Sequence, residues 1–170
     1  DHAKDFSNNI KKSINFSENN FIMEVASNDG YLLKNFEQRN YRILGIEPAA
    51  NVAKIAQKNG IPTEAIFFNE ENANLLMKKY GKPKLIIANN VLAHVPDISG
   101  FLKAFEIICS DETLISLEFP SVSSLIKNLQ FDTIYHEHFT YLSVNTIEKL
   151  ISNIDLKIFR IERLNTHGGS

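Results

Sequence analysis

Cysteine is almost absent from this 170-residue chain: Cys109 is the only one, so a disulfide framework and a cysteine-built zinc site are both excluded. No apolar run approaches eighteen residues and there is no signal-peptide pattern, so no membrane span is expected and a cytoplasmic setting fits. Charge of one sign is lacking too. A net charge of -2 argues against a broad surface for nucleic acid or anionic membrane. Nor is there a G-x-G-x-x-G stretch, which removes the usual cradle for a dinucleotide pyrophosphate. What remains is ordinary for a globular chain, 44 % hydrophobic and 22 % charged, and long enough for one domain with a core.

Short apolar runs alternate with amphipathic stretches, the rhythm of a parallel sheet covered by helices on both faces. "FIMEVA" (21–26), "YRILGIE" (41–47), "KLIIAN" (84–89) and "TLISLEF" (113–119) read as strands, with a weaker third strand in "IPTEAIF" (61–67). A sixth strand is expected in "LKIFRIER" (156–163). Helices are expected over 31–39, with Leu32, Leu33 and Phe36 inward, and after Pro48, Asp97 and Ser143, the last two as caps. Residues 1–20 form an N-terminal helical segment and 21–170 the main domain. The chain starts at "DHAKDF" without methionine and stops at "THGGS", so a piece of a longer protein is expected. The fold expected is a doubly wound, Rossmann-like, mostly parallel α/β sheet, incomplete at its C-terminal strand.

In such sheets ligands lie beyond the carboxyl ends of the strands, where strand order reverses. The loop to read is "EVASNDGYLL" (24–33), which holds a single glycine, Gly30, and places Asp29 at the helix start with Glu24 upstream. Acids there repel a pyrophosphate and suit the ammonium and sulfonium of S-adenosylmethionine. Glu47, seventeen residues past Gly30, can accept from both hydroxyls of a ribose. The plainer alternative makes Asp29 a helix cap and Glu47 a solvated acid. Asn89 and Asn90 break an apolar run where a cofactor would pass, although asparagines also serve turns. Phe67 and Phe68 could stack on adenine, but a phenylalanine pair is more often core.

The other concentration of chemistry is "YHEHF" (135–139). Tyr135, His136, Glu137 and His138 follow the fifth strand and His94 follows the fourth, so adjacent loops deliver them to one crevice. A histidine near its ordinary pKa of about 6.5 can take a proton, a carboxylate can orient it, and tyrosine can donate to an oxygen turning negative. That set suits removing a proton next to a carbonyl. A metal site is the competing reading, but H-E-H spacing is poor for one ion and H-E-x-x-H is missing. The bland reading is a turn whose histidines satisfy backbone groups. His2 and His167 stand alone, and His2 is given no role.

Together "EVASNDGYLL", "GIEP", "NNVLAHVPD", "EFP", "FDTIYHEHFTYLS" and "THGGS" resemble the class I S-adenosylmethionine-dependent methyltransferases, and more narrowly those methylating carbon on nucleotide-linked 4-keto-deoxysugars. The resemblance implies deprotonation of the carbon beside the ketone, then methyl transfer to it. It makes His138 the general base, Tyr135 and His94 partners of the ketone oxygen or sugar, and Glu137 an orienting or sugar-binding acid. His136 has the least defined part. Ala26, Ser27, Asn28, Asp29, Gly30 and Glu47, with Pro48 beside it, would hold S-adenosylmethionine, together with Phe68, Asn89 and Asn90; no metal is implied. Family members usually carry a cysteine-rich zinc domain before this region and a further α/β domain after it. Alternatives are methylation of a hydroxyl or amine on a small molecule, and a cofactor-binding module without catalysis. A nicotinamide dehydrogenase fits less well, for want of the pyrophosphate loop.

Overall fold

A computed structural model describes residues 2–13, 16–164, 166 and 169–170. Among these residues five strands run parallel: β1 (Phe21–Val25), β2 (Arg42–Ile46), β3 (Thr63–Glu64), β4 (Leu85–Asn89) and β5 (Leu114–Glu118). Their spatial order is β3-β2-β1-β4-β5, so the direction of winding reverses between β1 and β4. A crevice must open beyond the carboxyl ends at that point. All five β1 residues are buried, as a central strand covered on both faces requires.

Period-two alternation divides each strand between two cores. Met23, Val25, Ile86 and Ala88 face α3 (Glu70–Tyr80), α4 (Ile98–Ile108) and α6 (Val144–Ile151). Ile22, Leu85 and Ile87 face α1 (His2–Ser13), α2 (Ala50–Lys58) and the 3-10 run Leu33–Arg39. Asp97 and Ser143 accept from the Gly100 and Thr146 amides, so both expected caps form.

Four expectations on local structure are revised. The segment after β1 winds as a 3-10 run, although Leu32, Leu33 and Phe36 do face inward. The Asn35 amide donates to the Tyr31 and Leu32 carbonyls, each at 3.1 Å, and competes for acceptors an α-helix would use. Pro48 lies before its helix rather than in the first turn, because α2 starts at Ala50 with Ala49 as cap. β3 shrinks to two residues beside Pro62, which has no amide to donate. Residues 156–163 form no ladder: Leu156 and Ile158 pack on the core, but alternation makes a strand only where a neighbour supplies hydrogen bonds.

Candidate active site

The turn after β1 is held in an unusual backbone shape. Ala26, Asn28 and Gly30 all take left-handed φ values, of 58°, 51° and 82°. Glycine accepts that shape freely and asparagine tolerates it, whereas for alanine it costs on the order of 1 kcal/mol. Such strain collects where a loop must present its backbone to something. Gly30 is also confined by packing, since a Cβ there would meet the Ile61 side chain at 2.7 Å.

Glu47 faces this turn from the end of β2. It is 7 % exposed, and its carboxylate accepts from the Asn28 amide at 3.1 Å and the Ala49 amide at 2.9 Å. It is therefore a fixed acid rather than a solvated one. Each carboxylate oxygen retains a lone pair for a further donor. Asp29 is exposed and accepts from the Tyr31 amide at 3.3 Å within the turn; the cap position of the following 3-10 run is Leu32, so Asp29 is not the helix cap of the plainer alternative. Its charge still acts on the site, helping to raise the pKa values of Glu24 and Tyr31.

Glu24 was legible only as an acid upstream of the turn, yet it is buried within β1. Burial pushes its carboxyl well above the usual range; the Leu33 amide opposes this and the Asp29 charge adds to it. Among the described residues, four buried side-chain atoms have no hydrogen-bond partner: Glu24 Oε2, Ser27 Oγ, Asn89 Oδ1 and Asn90 Oδ1. All four belong to β1, β4 or the turns that follow them. Three can only accept while Glu24 is ionised, so they call for a ligand rich in donors. A nucleoside with an ammonium group brings donors. A diphosphate brings only acceptors, so the residues present fit S-adenosylmethionine.

Phe68 is corrected from a stacking candidate to a core residue. It is 7 % exposed, edge-on to Phe101 and packed on Phe105, with ring centroids 5.5 and 4.9 Å away. Phe67 is 70 % exposed. The apolar cluster beside α4 takes up Phe68 because burying a phenyl ring among rings outweighs leaving it at an edge.

The second half of the site is carried by the stretch after α5 (Val122–Asn128). The Phe139 amide donates to the Ala93 carbonyl at 2.8 Å, fastening this stretch to the turn after β4. His94 and His138 are thereby brought together, with ring centroids 4.8 Å apart. His138 Nδ1 donates to the Thr133 carbonyl at 3.1 Å, which leaves Nε2 to accept from the Tyr135 hydroxyl at 2.9 Å. Desolvation and the neighbouring His94 lower the His138 pKa below 6.5, against opposing effects of the Thr133 carbonyl and Glu137. The ring is neutral at pH 7, with a lone pair on Nε2. His94 Nδ1 donates to the Glu137 carbonyl at 3.0 Å, so Glu137 holds His94 by its backbone. His136 is exposed.

A cleft of about 350 Å³ opens beside this stretch, lined by Asn90, His94, Pro120, Asp132, Tyr135 and His138 among others, and it reaches the first half at Asn90. The expected convergence of the loops after β4 and β5 thus occurs for Tyr135, His94 and His138. Sequence reasoning missed Thr133, whose carbonyl sets the His138 tautomer, since a backbone acceptor leaves no mark on residue type. It also missed Glu118, although a polar residue closing an apolar strand was a usable signal.

Comparison with known proteins agrees with this fold. Residues 6–161 match a family described as a methyltransferase domain. C-methyltransferase NovU of Streptomyces niveus is 32 % identical over 157 residues, which cover 92 % of this chain. The chain spans only 37 % of that relative's length. Among solved structures, the plantazolicin methyltransferase BpumL in complex with SAH aligns with a TM-score of 0.62 at 14 % identity, over 88 % of this chain and 60 % of that one. A SAM-dependent methyltransferase from Archaeoglobus fulgidus aligns at 0.66 and 12 % identity, over 88 % and 66 %. At such identities these two show the shared fold. Fold, strained first turn, unspent acceptors and family match converge: the chain belongs to the methyltransferase domain family and is a class I, S-adenosylmethionine-dependent member of it.

Proposed function

We propose that this domain serves to methylate the carbon beside the ketone of a nucleotide-linked keto-deoxysugar. The observation that carries this is the His138 ring, neutral, fixed through Nδ1 and offering Nε2 into a cleft that reaches Asn90. Methylating a hydroxyl or amine needs less base, and no donor for an enolate oxygen.

Ala26, Ser27, Asn28, Gly30 and Glu47 hold the nucleoside end of S-adenosylmethionine, Asn89 and Asn90 flank it, and Asp29 adds negative charge at the rim. The bound cofactor supplies an electrophilic methyl group for the substrate carbon. His138 Nε2 takes the proton from the carbon next to the ketone, and the C–H electron pair becomes the enolate. Tyr135 exchanges His138 for the ketone oxygen and donates to it as it turns negative. His94, anchored on the Glu137 carbonyl, takes a position beside the sugar. The C-methyltransferase relative supports a carbon acceptor, and the resemblance of "FDTIYHEHFTYLS" supports the keto-sugar class.

The test is solvent-deuterium exchange at the ketone-adjacent carbon of a nucleotide-linked 4-keto-deoxysugar, followed by NMR with the whole protein. Exchange is expected with the wild type and lost in His138→Ala. Wild-type exchange rates in that variant would remove His138 as the base.

A further inference from the structure

The polar residues of the carboxyl edge do not stop at β4. Strand alternation and register carry Glu24 of β1, Asn89 of β4 and Glu118 of β5 to the same face of the sheet, the one covered by α1. With Glu47 at the end of β2 they form a row across four strands. Three inter-strand steps of ~4.8 Å make this row about 14 Å long. Its β2 end is the ribose-binding acid described above. Its β5 end is unassigned, and three parts of the chain converge there.

Glu118 is 6 % exposed. His2 Nε2, from the first turn of α1, lies 2.9 Å from Glu118 Oε2, and the Thr166 hydroxyl donates to Oε1 at 2.9 Å. Burial first, then the charges of Glu24, Glu118 and Asp29, raise the phenol pKa of Tyr31. Glu24 is the independent sign of a ligand, being 3 % exposed with Oε2 unpartnered on this same face.

We infer that Glu118 and His2 form the subsite for the amino-acid end of the methyl donor. The inference rests on S-adenosylmethionine as the cofactor. A zwitterion presents one ammonium and one carboxylate on adjacent atoms, and the pair offers the complement of both. The ammonium takes the place of His2 on Glu118 Oε2 and also faces Asn89 and Glu24. The His2 ring, on the first turn of α1 and about half exposed, turns its N–H to the carboxylate. α1 thereby becomes the cover of that end of the crevice, and a residue with no role in the sequence becomes a ligand contact.

The experiment is calorimetric binding of two nucleosides to the full chain: S-adenosylhomocysteine, which has the amino-acid end, and 5′-methylthioadenosine, which lacks it. In Glu118→Gln the first should weaken about tenfold or more, as loss of a charge-assisted hydrogen bond implies, and the second should change less than about twofold. His2→Ala should move the same ratio in the same direction by about threefold or more. Equal weakening of both ligands, or of neither, would overturn the assignment. If Glu118→Gln unfolds, as circular dichroism would show, the ratio in His2→Ala decides. Failure of the wild type to bind either nucleoside would instead remove the cofactor reading on which the subsite depends.

Discussion

The turn after β1 and the stretch 131–141 both serve the crevice, but they are built oppositely. The first is a strained backbone pressed against buried acids: Glu24 and Glu47 are 3 % and 7 % exposed, and Ser27 is fully covered. The second is open, with Phe131, Ile134 and Phe139 exposed by 79 %, 58 % and 59 % around the neutral His138. Carbonyl bonds place its parts: the His138 ring on Thr133, the Phe139 backbone amide on Ala93, and the facing His94 ring on Glu137. A ligand shared across a whole family can be recognised by the sheet itself. A reacting group specific to one substrate sits better on a stretch that can be remodelled without disturbing the core.

The sharpest break between the two regions should come from His138→Ala in the whole protein. Carbon methylation should fall on the order of 10³-fold, the scale of general-base catalysis, while calorimetric affinity for S-adenosylhomocysteine stays within about twofold. Parallel loss of both would merge the regions into one unit. The wild-type rate should fall as pH drops through a pKa below 6.5, because protonation fills the Nε2 lone pair. A pH–rate profile flat across that window would exclude His138 as the titrating base.

Phe68→Ala should cost about 3–5 kcal/mol of stability in urea unfolding, as expected for a buried aromatic truncated to alanine. A stable variant that lost only cofactor affinity would return Phe68 to the site. Glu47→Ala should weaken S-adenosylhomocysteine about 10–100-fold, since it strips the Asn28 amide of its partner along with the ribose acceptor.

The smallest effect is expected at Glu24. Its folded pKa lies above the unfolded one, so the native state binds more protons and stability declines as pH rises beyond about 4.5. Glu24→Gln should therefore raise the melting temperature by ~2–4 °C at pH 7, on the order of 1 kcal/mol, and by less at pH 4.5. An equal gain at both pH values would mean that charge burial is not the cause. A gain bought with weaker cofactor binding would mark the unpartnered carboxylate as a binding group.

Several features of the fold were legible because their causes are local. The apolar runs of β1, β4 and β5 declare buried parallel strands, and Asp97 and Ser143 declare helix starts through hydrogen bonds within three residues. The alternation in 156–163 misled, because pairing depends on a neighbour and not on the strand's own pattern. The Phe67–Phe68 pair was read as a choice between core and adenine, and Phe101 and Phe105, more than thirty residues away, settled it for Phe68. In the candidate site, residue types announced acids at strand ends and a histidine beside a tyrosine, the types proposed here as base and oxygen donor.

Which crevice, which charge of ligand and which residue types could do chemistry were all implicit in the order of amino acids, because strand periodicity and side-chain chemistry are properties of short stretches. That Glu47 is clamped by two amides, that His138 is held through Nδ1 with Nε2 turned to the Tyr135 hydroxyl, and that His2 reaches Glu118 across 116 positions emerged from packing. Hydrogen bonds between distant segments depend on angstrom-scale closure of the whole chain, and no local pattern encodes that.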